Sequence, residues 1–289
     1  MVDKVFDKEF FSKLENMSIK IASLANSGDS GVRRSKAKGT SVEFSDFREY
    51  NVGDDIRRVD WNAYGRFEKL FVKLFVEEKE AMINIFIDCS NSMASGDIKK
   101  KKLTLQISSA LAYLALNNQD KVNINLMTDD GLKSERFSTI SSFQRMTGFM
   151  EKYEFKGSIN IKESLKKFKF NKRGLTIIIS DFLNKESIEE SVRFLKYNHE
   201  EILLINVLSE DELKPKVNGE VTLVDSESNE KIKVTVTSKI IENYKKALKS
   251  FTKNLMDVSK KYGGTFIQIS SDSSLEEVIF EKLAKEGVL

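Results

Sequence analysis

The 289-residue chain holds one cysteine, one histidine, one proline and one tryptophan. Each scarcity removes a kind of chemistry. A structural zinc site of cysteine and histidine takes about four such ligands, and this chain owns only Cys89 and His199. Structural zinc, iron–sulfur ligation and disulfides within the chain are therefore excluded. A serine or cysteine triad needs a histidine base. His199 stands in Tyr197-Asn198-His199-Glu200-Glu201 just ahead of an apolar run, which reads as a helix-to-strand loop. No G-x-x-x-x-G-K-[ST] string exists, so P-loop phosphate chemistry is out as well.

Long hydrophobic runs are also missing. The longest charge-free stretch, Leu103 to Gln119, is 17 residues and contains Thr, Ser, Gln and Asn, which falls short of a membrane span. Residues 1–8 lack the basic-then-apolar layout of a signal peptide. With a lone cysteine that fits a reducing compartment, the expectation is a cytoplasmic protein with no membrane insertion.

What the chain does have is charge of both signs, 47 basic against 44 acidic side chains, for a net +3. That balance carries no general polyanion signal. Basic clusters at Lys99 to Lys102 and at Lys162, Lys166, Lys167, Lys169, Lys172 and Arg173 have little aromatic interleaving beyond Phe168 and Phe170. They read as solvated helix faces, with no nucleic-acid partner expected.

From Ala81 onward, short runs rich in Ile and Val alternate with helical patterns. Ile83–Ile87, Val122–Met127, Leu175–Ile179, Ile202–Leu208 and Thr265–Ile269 read as buried strands. Leu103, Ile107, Ala110, Leu111 and Leu114 share one helix face, as do Phe143, Met146, Phe149, Met150 and Tyr153, and Ile188, Val192 and Leu195. Ile241, Tyr244, Leu248, Phe251, Leu255, Val258 and Tyr262 alternate steps of three and four, a stripe that predicts a long core-facing helix. Val221–Val224 and Ile232–Val236 flank a polar turn and predict an inserted β-hairpin at about 215–237. Strands alternating with helices imply an α/β fold with a largely parallel sheet covered on both faces. The simplest division is a main domain over 81–289, with an extension over 1–80 packed on it that includes an opening helix at 8–26 and a glycine-dotted loop at 27–39.

In an open parallel sheet, ligands bind beyond the carboxyl ends of strands, where the strand order reverses. Asp88 closes one predicted strand and Asp181 another, and Asp88 opens Asp88-Cys89-Ser90-Asn91-Ser92, a D-x-S-x-S string. Two hydroxyls beside two carboxylates make an oxygen cage suited to Mg²⁺ or Mn²⁺. The plainer alternative is that Ser92 or Ser95 only caps the following helix.

Asp88-Cys89-Ser90-Asn91-Ser92-Met93 with Ser180-Asp181 resembles the metal-ion-dependent adhesion site (MIDAS) of von Willebrand factor A domains. Upstream, Gly39 to Trp61, including Glu43, Arg48, Tyr50, Gly53, Asp54, Arg57, Asp60 and Trp61, is similar to the signature of the bacterial family called domain of unknown function 58. The likeness runs over about residues 35–285. It implies a three-layer αβα sandwich, a Rossmann-like von Willebrand factor A fold with a mostly parallel central sheet and an inserted β-hairpin. It also implies a noncatalytic protein–protein interaction module that works with a MoxR-type AAA+ ATPase in the assembly or regulation of protein complexes. Ser90 and Ser92 would ligate Mg²⁺ or Mn²⁺, Asp88 and Asp181 would act directly or through water, and an Asp or Glu of a protein partner would complete the shell. Where the family pattern has a ligating threonine, this chain has Ile159, which cannot ligate; Ser158 could serve only if the loop shifts by one residue.

Three readings of the site follow: a metal-assisted interaction module, a metal-free scaffold whose site residues bond among themselves, and a phosphatase-like enzyme using Asp88. The last lacks the D-x-D general acid, because Ser90 stands at the second position. Residues 1–80 carry 15 basic and 15 acidic side chains. That density predicts ion pairs fixing an irregular segment, either as a structural clasp or as a docking surface, with Trp61 as an apolar anchor.

Overall fold

The computed structural model describes residues 5–6, 8, 10–15, 42–77, 81–94, 98–171, 173–183, 187–226 and 230–286. The chain divides into two compact units, Met1–Ser23 with Ala81–Leu289, and Leu24–Glu80. Of the helix expected over 8–26, residues 10–15 are helical (α1); residues 16–26 and the loop expected at 27–39 lie outside the described residues. Phe6, Phe10 and Leu14 are spaced by four, so they share one side and enter the core of the larger unit.

The smaller unit is a two-stranded antiparallel sheet of β1 (Val42–Glu49) and β2 (Phe71–Glu77), with a register shift between Phe44 and Asp46. A short helix, α2 (Trp61–Phe67), lies between them in sequence, and Asp60 caps it by accepting from the N–H groups of Asn62 and Ala63.

In the larger unit the chain runs through β3 (Met82–Asp88), α3 (Ile98–Asn117), β4 (Lys121–Thr128), β5 (Gly131–Phe137), α4 (Phe143–Glu151), α5 (Ile161–Lys167) and β6 (Leu175–Ser180). It continues through α6 (Ile188–Tyr197), β7 (Glu201–Leu208), α7 (Glu210–Leu213), a hairpin of β8 (Gly219–Val224) and β9 (Lys231–Val236), α8 (Ser238–Lys261) and β10 (Thr265–Ser270), and ends in a π-helical turn at Glu277–Leu283. The six-stranded sheet has the order β10-β7-β6-β3-β4-β5. Its pairings are parallel except at β5, an antiparallel edge strand. One face carries Ile83, Ile85 and Ile87 of β3 against α3, α4 and α1; the other carries Phe86 and Ile178 against α5, α6 and α8. This is the expected αβα sandwich with an inserted hairpin. Among the described residues no helix is long and apolar enough to cross a membrane.

Two expectations need correction. The strand β5 went unrecognised because Gly131-Leu132-Lys133-Ser134-Glu135-Arg136-Phe137 is an edge strand and carries charge on its open side. The long stripe of α8 does not face the core throughout. Leu255 and Val258 are buried, but Ile241, Leu248 and Phe251 are half-buried and Tyr244 is 39% exposed, because only the second half of the helix lies over the sheet.

Candidate functional site

The order of the strands fixes where a site can be. From β3 the chain moves outward through β4 and β5, then returns to the other side of β3 through β6, β7 and β10. The reversal therefore lies between β3 and β6, and the crevice beyond their carboxyl ends is the natural binding position. Asp88 is the last residue of β3 and Asp181 follows the last residue of β6, so the two carboxylates meet at that crevice.

Asp88 is buried and fully hydrogen-bonded. Its Oδ1 accepts from the Ser90 N–H at 2.8 Å and the Ser90 hydroxyl at 2.5 Å, and its Oδ2 accepts from the Ser180 hydroxyl at 2.5 Å. The Ser90 and Ser92 hydroxyls lie 3.1 Å apart. Burial, and then the charge of Asp181, push the Asp88 carboxyl up to about 6, against hydrogen bonds from Ser180 and Ser90 that favour its ionised form. Cys89 points into the core, with its thiol 3.6 Å from the Ile87 carbonyl.

The sequence reading missed what holds Asp181. Lys100, on the first turn of α3, has a side chain only 1% exposed. Its ammonium donates to Asp181 Oδ2 at 2.8 Å, to Glu212 Oε1 and Oε2 at 2.9 and 3.1 Å, and to the Ser92 carbonyl at 3.1 Å. An ammonium has three protons, and three residues receive them. Burial lowers the Lys100 pKa, but the charges of Asp181 and Glu212 outweigh it and hold the group above the ordinary lysine value. Glu212 is itself fixed by a capping box: Ser209 N–H donates to Glu212 Oε2 at 2.6 Å and the Glu212 N–H to the Ser209 hydroxyl at 3.2 Å. The reading of Lys99 to Lys102 as a solvated face is corrected at Lys100. The signal was present, since Lys100 lies three and seven residues before Leu103 and Ile107 on the buried stripe.

The loops around the crevice are constrained. Phe182, next to Asp181, is buried with φ +56°, a left-handed conformation that costs a bulky residue roughly 1–2 kcal/mol. The Asp181 Oδ1 accepts from the Leu183 N–H at 3.0 Å, leaving the Leu183 side chain 48% exposed at the rim. Across the site, the Lys156 N–H donates to the Cys89 carbonyl and the Asn91 N–H to the Gly157 carbonyl, both at 2.9 Å. Gly157 has φ +64°, and a Cβ there would stand 2.7 Å from the Asp129 Cβ, so only glycine makes this strap. The Asn91 amide donates to the carbonyl of Ser226 at the hairpin turn.

Tested against a divalent ion, the residues do not fit. Asp88, Ser90, Ser92 and Asp181 come together, but Ser158 is exposed, with no hydrogen bond to them among the described residues, and Ile159 packs against the core. Both oxygens of Asp181 are engaged within the protein, Oδ2 by the Lys100 ammonium and Oδ1 by the Leu183 N–H. Among the described residues no three His, Cys, Asp or Glu side chains group so as to hold a metal.

In the smaller unit the expected ion pairs form. Arg48 bonds Asp54 at 2.9 Å, Asp54 also accepts from the Asn51 N–H at 2.8 Å, and Arg57 bonds Asp55 through two nitrogens at 3.1 Å. Hydrogen bonds from Asn51 and then Arg48 hold Asp54 below the usual carboxylate range. Asp60 combines its capping role with an ion pair to Lys73 at 3.2 Å, the Tyr50 N–H donates to the Leu70 carbonyl, and Gly53 turns the chain at φ +107°. Trp61 does not act as a buried anchor: it is 60% exposed and stands edge-on to Tyr64. The side chain of Glu43 lies outside the described residues.

A family model described as "Protein of unknown function DUF58" matches residues 46–253. The uncharacterized protein Rv1480 of Mycobacterium tuberculosis is 22% identical over 242 residues, covering 81% of this chain and 76% of that protein. Among solved structures, the conserved hypothetical protein BatB from Bacteroides thetaiotaomicron aligns with a TM-score of 0.43 and 14% identity, over 71% of this chain and 98% of that one. Proximal thread matrix protein 1 from the mussel byssus, solved with a zinc-occupied MIDAS motif, aligns with a TM-score of 0.42 and 13% identity, over 72% of this chain and 46% of that one.

Proposed function

This chain belongs to the DUF58 family, and we propose that it is a noncatalytic protein-interaction module that docks a protein partner at the carboxyl ends of β3 and β6. The observation that carries this reading is the closed state of the reactive groups. Both oxygens of Asp88 are bonded inside the protein and Asp181 is sealed by Lys100, so neither offers a nucleophile or a general acid to a substrate. Cavities of about 580 Å³ and about 430 Å³ are lined elsewhere, one by Phe170, Arg173, Tyr197 and Glu200 among others at the opposite end of the sheet and one along α8. What faces outward at the crevice is a rim of half-buried Ser92, exposed Ser158 and exposed Leu183, of mixed polar and apolar character suited to protein contact.

The partner class follows from the family resemblance, an AAA+ ATPase of the MoxR type, with assembly or regulation of protein complexes as the shared task. In the smaller unit, the Arg48–Asp54 and Arg57–Asp55 pairs act as a clasp that fixes the loop around Gly53, and the exposed Trp61 is free for contact. A divalent ion at the crevice would require Asp181 to give up Lys100, and docking as proposed needs no such step.

The test is co-expression with a MoxR-type AAA+ ATPase, followed by size-exclusion chromatography of the wild type and of Ser92→Arg, which blocks the rim. Co-elution lost in the variant supports the reading. Turnover of a phosphate ester that vanishes in Asp88→Asn would replace it with the enzyme reading.

A further inference from the structure

Lys100 is a buried cation in a place where the residue pattern calls for a metal. Its ammonium contacts one of the two strand-end carboxylates, the carboxylate of Glu212 and the backbone of the Ser-x-Ser turn through Ser92. Asp181 is one of the residues the pattern assigns to an ion, Glu212 adds a second carboxylate, and the Ser92 carbonyl belongs to the turn that carries the two hydroxyls. We propose that Lys100 is the built-in cation of this site, doing with an ammonium what a divalent metal would otherwise do, so that the site is assembled without metal.

Three features converge on this assignment. First, an ammonium buried to this degree is stable only with its protons matched by acceptors, and the match is complete here. Second, the missing ligand and the added cation are complementary. Where the sequence pattern calls for a ligating threonine there is Ile159, packed against the core, while α3 supplies a positive charge from the other side. Third, Glu212 brings a second carboxylate to the ammonium from within the same chain. Its carboxylate is pinned by Ser209 and directed at Lys100, so the ammonium already has the second acid that an external Asp or Glu would have provided.

A divalent ion placed beside this ammonium would meet like charge at short range and would have to compete for Asp181. Resting on the docking reading above, the consequence is that partner binding at the crevice proceeds in chelator, and that the partner need not contribute a carboxylate.

The experiment is metal titration of the purified full chain, which reads the cation without any partner. Wild type dialysed against chelator should bind no Mn²⁺ at millimolar concentration by electron paramagnetic resonance, and its melting temperature should move by less than ~1 °C with Mg²⁺ or Mn²⁺. Lys100→Ala leaves an oxygen-lined vacancy among Asp181, Glu212 and the Ser92 carbonyl, and should gain a metal-dependent rise in melting temperature of ~3 °C or more. Stoichiometric Mn²⁺ binding by wild type would overturn the proposal, and that result does not depend on whether the variant folds. A folded Lys100→Ala that still ignores metal would overturn it too, because the ammonium would then not be what stands in the ion's place. Docking fails separately: a wild type that ignores metal and does not bind the ATPase keeps the cation assignment and loses the docking reading.

Discussion

At the carboxyl ends of β3 and β6, the buried Asp181 and the half-buried Glu212 share the Lys100 ammonium. At the amino ends of the same sheet, Glu200 is buried with no lysine or arginine paired to it among the described residues. One oxygen of the amino-end carboxylate is held by a hydroxyl and an amide, at the end of a row that reaches Arg136, while Oε1 has no hydrogen-bond partner among the described residues. Glu200 Oε2 accepts from the Thr176 hydroxyl at 2.8 Å and the Asn84 amide at 3.2 Å; Asn84 Oδ1 accepts from Asn123 at 2.7 Å, and Asn123 Oδ1 accepts from Arg136 Nε at 3.1 Å. These residues are registered across neighbouring strands, Arg136 with Asn123, Asn123 with Asn84, and Asn84 with Thr176. Burial raises the Glu200 pKa against the hydrogen bonds from Thr176 and Asn84. One sheet thus buries carboxylates in two ways. An ammonium fixes the position of its acids through charge-assisted hydrogen bonds, whereas amides and a hydroxyl leave the buried Glu200 easier to protonate.

The comparison breaks first at Lys100. Lys100→Ala strands Asp181 in the interior and takes the cation from the half-buried Glu212, and urea unfolding at neutral pH should show a loss of about 3–5 kcal/mol. A loss under ~1 kcal/mol would mean the cluster is open to water. Gly157→Ala comes next, at about 2 kcal/mol, because the left-handed strap that ties residues 156–157 to Cys89 and Asn91 has no room for a Cβ. Glu212→Gln keeps an oxygen for Lys100 and for the Ser209 N–H but removes one charge, so about 1 kcal/mol should be lost while Asp181 remains.

The smallest effect belongs to the amino end. Glu200→Gln preserves an acceptor for Thr176 and Asn84 and should change stability by less than ~1 kcal/mol at neutral pH. Its signature is in the pH profile. The folded pKa of Glu200 lies above 4.5, so its contribution is full below that value and is lost as pH rises through the folded pKa. Wild type should therefore lose stability relative to Glu200→Gln as pH rises through that window. Asp88 acts in the same direction between 3.8 and about 6, so its slope remains in Glu200→Gln and disappears on adding Asp88→Asn. A variant profile parallel to wild type would show that Glu200 titrates normally and would remove the contrast between the two ends.

Most of the central sheet was legible because strands buried on both faces read as near-continuous apolar runs, as in Ile83–Ile87 and Ile202–Leu208, each broken by a single asparagine. Edge elements were not, since β5 and the first half of α8 keep one side open and mix charge with their apolar residues. At the site, the D-x-S-x-S string and Asp181 could be placed from strand ends alone, and they do meet. Lys100 was hidden inside a run of four lysines, and Glu212 lies more than a hundred residues away in a short capped helix. Reading the run by helix face instead of by composition would have put Lys100 beneath Leu103 and Ile107. Phe182 could not be foreseen, because nothing in Asp181-Phe182-Leu183 marks a left-handed residue.

The most direct measurement is nitrogen-15 NMR of the lysine ammonium groups in wild type, with the Lys100 signal assigned by its absence in Lys100→Ala. Held by Asp181, Glu212 and Ser92, that ammonium should give a slowly exchanging resonance at neutral pH, unchanged by chelator or by Mg²⁺, and not selectively broadened by Mn²⁺. A Lys100 signal that exchanges as fast as those of the exposed lysines, or that Mn²⁺ removes at stoichiometric concentration, would contradict an internally satisfied, metal-free site.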